Sequence, residues 1–149
     1  MPSRAEVIAE ARRWIDTPYH HMGRNRGASC DCIGLVIGIA RRLRLPCPTD
    51  RELPVYTPLP HNHIAQRTVE TLMDISSKPR PSPGQVGLFW FRQKNHGQHF
   101  CIFADQKGRL TMIHAYFNSD FVVEAGYSAF WSKRLMRVYD YRGVDHVAV

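Results

Sequence analysis

The chain lacks any apolar run near the ~18 residues that a membrane-crossing helix needs. Its first residues, Met1-Pro2-Ser3-Arg4-Ala5-Glu6, hold no hydrophobic core of a secretion signal. The expectation is therefore synthesis in the cytoplasm without membrane insertion, with delivery by other means if the protein acts outside. Internal repeats and low-complexity tracts are absent, which excludes solenoid and disordered classes. Acidic residues are scarce: 13 Asp and Glu face 20 Lys and Arg, a formal net charge of +7. Such a chain is drawn to polyanions. No nucleic-acid-binding motif accompanies the charge, so no specific nucleic acid is expected. The densest basic run, Arg41-Arg42-Leu43-Arg44, falls at the predicted end of a helix, where it complements the helix dipole. Cysteines number only four, and Cys30 and Cys32 are too close for an easy mutual disulfide; cytosolic synthesis favours free thiols.

The 149 residues suit one domain, 1–149, with an ordinary 44% hydrophobic and 22% charged content. Prolines cluster in Leu45 to Pro60 and in Lys78 to Pro83, which read as loops. Ser3-Arg4-Ala5-Glu6 is a capping box, and Val7, Ile8, Ala11 and Trp14 form one stripe of a helix ending before Pro18. Asp31 is a candidate N-cap for a second helix from Cys32 to Leu43, whose Gly34 and Gly38 point to a close neighbour. A third helix is predicted from Asn62 to Met73. Strands are predicted at Val86 to Phe91, Phe100 to Ala104, Leu110 to Ala115, Phe121 to Glu124 and Leu135 to Tyr141. Helices first and strands later predict an α+β fold with an antiparallel sheet.

Cys32 begins the second helix, and His99 and His114 lie on later strands. A thiol at a helix N-terminus is expected to ionise more readily, with an imidazole as its base and a second polar group to orient the base. If the loop after Phe100 to Ala104 turns in two residues at Lys107-Gly108, Asp105 faces Leu110 and His114 lies opposite Cys101. His99 is then diagonal to His114 on one sheet face, within side-chain reach. A slip of one residue would separate the two histidines. Backbone N–H groups at the helix start could hold an oxyanion. On spacing alone, a buried structural cysteine fits the same pattern.

Other candidates are present. Cys30 precedes the N-cap. Cys30, Cys32, His20 and His21 form a set that matches no common structural zinc spacing, so no metal is expected. His61-Asn62-His63 reads as a solvated cap, His96 as a loop residue and His146 as part of a frayed tail. Arg24 and Arg26 offer guanidinium forks for carboxylates, or a solvated loop. Trp90 and Trp131 read as core residues.

Thr17-Pro18-Tyr19, Asp31-Cys32-Ile33-Gly34-Leu35-Val36, Pro83-Gly84-Gln85-Val86, His99 before an apolar strand and Ile113-His114-Ala115 resemble the NlpC/p60 cysteine peptidases, in order and over nearly the whole chain. The segment from His114-Ala115-Tyr116 to Arg134-Leu135 is similar to the phage-type branch, the tail-associated peptidases of phages and gene transfer agents. The resemblance implies a papain-like fold, helices on an antiparallel sheet with the nucleophile heading a helix. It implies Cys32 as nucleophile, His99 as base and His114 as third member, with Tyr19 beside the nucleophile and orienting the substrate; Asp31 and Arg24 are further candidates for substrate binding. It implies amide hydrolysis in peptidoglycan stem peptides, between D-γ-glutamate and a diamino acid, without a cofactor. Phage-like tail or hub proteins are the implied partners, with action on the periplasmic wall. Ile33, Gln85 and Arg24 depart from the family pattern.

Overall fold

A computed structural model describes every residue except Pro48, Asp50, Glu52, Pro54, 58–62, Pro79, Phe117 and 146–149. His61, Asn62 and His146 thus lie outside the described residues. The elements are α1 (Arg4–Arg13), β1 (Arg24–Asn25), β2 (Ser29–Cys30), α2 (Cys32–Arg42), α3 (Ile64–Glu70), β3 (Met73–Ile75), β4 (Val86–Phe89), β5 (His99–Gln106), β6 (Arg109–Ala115), β7 (Val122–Gly126), α4 (Ala129–Ser132) and β8 (Leu135–Tyr141). Six strands form one sheet in the order β3-β8-β4-β5-β6-β7, every neighbouring pair antiparallel. This is the expected α+β architecture.

The first helix starts as its sequence dictates. The Ser3 hydroxyl accepts from the Glu6 N–H at 3.2 Å and the Glu6 carboxylate accepts from the Ser3 N–H at 2.6 Å, which satisfies two orphan donors. The glycines of α2 have the packing reason their cost implies. A methyl group at Gly38 would strike the Trp14 ring, and one at Gly34 would strike the Gly23 carbonyl. Helices α1 and α2 therefore lie close together, and the loop before β1 lies against the start of α2.

The sheet separates two cores. One face carries Leu88, Phe100, Ile102, Ile113 and Tyr139 against Val7, Ala11 and Trp14 of α1 and Leu35, Val36 and Ile39 of α2. The Tyr141 hydroxyl donates to the Val36 carbonyl at 2.6 Å, a bond that fixes α2 on β8. The other face carries Phe89, Cys101, Phe103, Met112 and Val138 beneath Trp131 of α4. Each Phe, Leu or Ile buried this way is worth roughly 1.5–3 kcal/mol of transfer free energy.

Five departures from the expected elements have local reasons. The short hairpin β1–β2, the three-residue β3 and the four-residue α4 fall below the length at which periodicity speaks. Strand β4 stops at Phe89, where its register against β8 shifts. The third helix is shorter than expected and begins at Ile64. Gln85 is 1% exposed at the start of β4. Its amide donates to the Asp140 carboxylate at 3.2 Å, and Arg4 pairs with the same carboxylate at 2.7 Å.

Candidate active site

Asp31 leaves the helical path with an extended backbone, φ −112°, and caps α2. Its Oδ1 accepts the Gly34 N–H at 2.7 Å. Its Oδ2 accepts the Met22 N–H at 2.7 Å and the Tyr56 hydroxyl at 2.7 Å. The His21 Nδ1 stands 3.8 Å from the same oxygen. Only 2% exposed, the carboxylate has both oxygens engaged inside the protein, directly beneath the next residue, Cys32.

Cys32 is half-buried at the head of α2. Burial first, and the Asp31 charge second, push its thiol up to about 12, while the N–H groups of Phe100, Ile33 and Cys32 itself pull the other way. The expected depression of the thiol is therefore reversed. The helix start does supply its N–H groups, but burial beside a carboxylate outweighs them. The thiol is neutral at rest.

The histidines arrive through the sheet. Lys107 and Gly108 both have positive φ, 52° and 78°, the conformation of a two-residue primed turn whose twist matches the strands. The register follows: Asp105 faces Leu110 and Ile102 faces Ile113. The His99 Nε2 and the His114 Nδ1 are 2.8 Å apart, and the rings are 5% and 3% exposed as residues. Trp131 stacks on His99 with centroids 4.7 Å apart and meets His114 edge-on at 5.6 Å. Tyr116 lies 5.8 Å from each ring. This apolar box holds both imidazoles neutral. Burial, then the neighbouring His114 charge, takes His99 well below the ordinary value, and burial lowers His114 to about 4.

The hydrogen bond to His114 uses Nε2 of His99 and leaves Nδ1 for proton transfer. Among the described residues, no hydrogen bond joins the Cys32 sulfur to either imidazole. The sulfur meets the histidine strand through the Phe100 N–H, one residue along from His99. The structure thus brings His99 and His114 together and sets Cys32 beside the start of β5, the strand of His99.

Tyr19 is half-buried and bridges Cys30 through its backbone. Burial raises its phenol, and the Cys32, Asp31 and Cys30 charges raise it further, so Tyr19 adjoins Cys32. Arg24 faces Cys30 across β1–β2 and lines a depression of about 330 Å³ with His20, His21, Asn25, Ser29 and Arg41. Arg26 lies elsewhere: it pairs at 2.9 Å with Glu10, which also accepts from the Trp14 indole at 3.0 Å. Its guanidinium is thus a structural strut, its carboxylate partner belonging to α1 of the same chain. Cys30 is fully buried and its thiol donates to the Asp31 carbonyl at 3.1 Å. No group of three or more His, Cys, Asp or Glu among the described residues could hold a metal ion.

Two residues of this site carry no pattern in the sequence. Trp131 is a core residue, as its sequence reads, and its ring also stands against the histidines, which the sequence does not signal. Tyr56 lies in a proline-rich loop and meets Asp31 across 25 residues of chain. A lone aromatic at that separation leaves no periodic signal.

No family model and no curated protein matches this chain. Solved structures do. An NlpC/p60 family protein from Bacillus cereus superposes with a TM-score of 0.67 at 15% identity, over 94% of this chain and 40% of that one. The NlpC/p60 domain of the peptidoglycan hydrolase SagA gives 0.59 at 21% identity, over 93% of this chain and 98% of the domain. The chain has the NlpC/p60 fold. An N-acetylmuramoyl-L-alanine amidase from Bacteroides uniformis is also similar, with a TM-score of 0.62 at 12% identity, over 93% of this chain and 98% of that one. The chain spans 40–46% of several larger proteins that share this NlpC/p60 fold.

Proposed function

We propose that this chain is a cysteine endopeptidase that hydrolyses an amide of peptidoglycan stem peptides, between D-γ-glutamate and the diamino acid. The observation that carries the reading is the buried His99–His114 pair, bonded at 2.8 Å across β5 and β6, with the Phe100 N–H next to His99 on β5 acting on the Cys32 sulfur. Neutral thiol and neutral imidazole call for proton transfer as attack occurs. Nδ1 of His99 takes the thiol proton while the sulfur adds to the amide carbonyl. N–H groups at the start of α2 hold the oxyanion. The imidazolium, steadied by His114, then gives its proton to the leaving amine. Water resolves the thioester by the reverse roles. Tyr19 and Arg24 border the substrate, and Arg24 suits a stem-peptide carboxylate.

Nothing in this chemistry requires a metal or an organic cofactor. Local wall opening by a phage-like tail particle is the setting that the sequence resemblance favours, with a tail or hub protein as partner. The test is mass spectrometry of diaminopimelate-type muropeptides after incubation with wild type and with Cys32→Ala. The expected result is a cut after D-γ-glutamate by wild type alone.

A second reading has its own observation, the likeness over 98% of the length of an N-acetylmuramoyl-L-alanine amidase. The same machinery would then release the whole stem from muramic acid. The same experiment separates the two, because the products differ in mass. Loss of neither bond on intact sacculi would overturn both.

A further inference from the structure

Between α2 and α3 most described residues face solvent: Pro46, Thr49, Arg51 and Thr57 are exposed, and Val55 is 82% exposed. Tyr56 departs from this pattern at 6%. A phenol buried within an exposed segment needs a partner for its hydroxyl. Here the partner is Asp31 Oδ2 at 2.7 Å, on the residue that caps the helix of Cys32. The His21 ring meets the Tyr56 ring edge-on, with centroids 5.4 Å apart. Burial and the Asp31 charge keep the phenol protonated, so it is a standing donor.

We propose that Tyr56 is a positioning residue for the thiol chemistry of Cys32, docking its loop on Asp31 and drawing negative charge off the carboxylate beside the nucleophile. The proposal rests on Cys32 as the reacting thiol. A carboxylate next to a thiol opposes thiolate formation, and a hydrogen bond donated to that carboxylate weakens the opposition. Two backbone groups, the Met22 and Gly34 N–H, share this work. Tyr56 contributes the one side-chain hydrogen bond to Asp31 among the described residues. Among the described residues, the other ionisable groups facing Asp31 and Cys32 are His21, Tyr19 and Cys30, with Arg24 acting on Tyr56 itself.

The test is the rate of Cys32 alkylation by iodoacetamide against pH, resolved by peptide mass spectrometry, in wild type, Tyr56→Phe, Asp31→Asn and the double variant. Tyr56→Phe keeps the ring and removes only the donor. It should slow alkylation about threefold at each pH below the thiol midpoint, with kcat for hydrolysis falling by a similar factor and KM little changed. Asp31→Asn keeps a capping side chain and removes the charge, so alkylation should quicken. In that background, Tyr56→Phe should have no further effect. An unchanged rate in Tyr56→Phe, or an equal slowing in both backgrounds, would overturn the proposal. So would faster alkylation of Cys32 together with Cys101, which is 0% exposed and reports loosened packing. Alkylation reads the thiol without any wall substrate, so this proposal and the hydrolase reading fail separately.

Discussion

The two halves of the site are held by different kinds of structure. The histidines sit on adjacent strands of one hairpin, and a two-residue turn sets their register. Cys32 sits on a helix whose cap, Asp31, draws donors from Met22, Gly34 and Tyr56, three separate stretches of chain. A ladder is repetitive, and little short of a register slip displaces its side chains. A carboxylate clamp is a small set of charge-assisted bonds, and each one changes the charge felt by the thiol. The histidine pair is therefore fixed by geometry, whereas the Cys32 thiol is adjusted by electrostatics.

The largest expected effect breaks the comparison at the reaction itself. Cys32→Ala and His99→Ala should each lower kcat/KM by about 10³-fold or more, and the double variant should be no worse than either. Additive losses on muropeptides would show that the two halves do not act as one unit.

Next comes pH. His114 has a native value of about 4 against roughly 6.5 when unfolded, and His99 is also lowered. The native state thus resists protons that the unfolded chain accepts. Stability is complete above about pH 6.5 and is lost as pH falls toward about 4, by roughly 3 kcal/mol for His114 alone. Urea denaturation at pH 7 and pH 4.5 should show the loss, and His114→Gln should flatten the slope.

On the nucleophile side, Asp31→Ala strands three donors and should cost about 2–3 kcal/mol in thermal or urea unfolding. A cost of only a few tenths would deny the clamp. The smallest effect is at the far end of the hairpin. Gly108→Ala forces a side chain into φ +78° and should cost about 1 kcal/mol, with kcat unchanged. A fall in kcat would mean that the turn reaches the histidines.

Much of the fold is legible in the sequence because it rests on local rules. The capping box of α1, the Asp31 cap of α2 and the Lys107-Gly108 turn each depend on a few consecutive residues. The pairing of His99 with His114 follows from that turn by arithmetic alone. Strand β3 is not legible, since its three residues form a strand through pairing with β8. Nor is α4, four residues long, although its Trp131 walls the histidines. Arg26 looks like a free guanidinium in sequence and is taken up by Glu10 of α1.

By itself the sequence determined the helix that begins at Cys32, the hairpin register and hence the shared face of the two histidines, because nearest-neighbour sterics and period-2 alternation act along the chain. Only the tertiary structure decided that the thiol rests neutral, that Asp31 is a buried clamp and that Tyr56 and Trp131 stand at its two ends of the site. Burial and through-space charge depend on groups that are distant in sequence, and no local pattern encodes them.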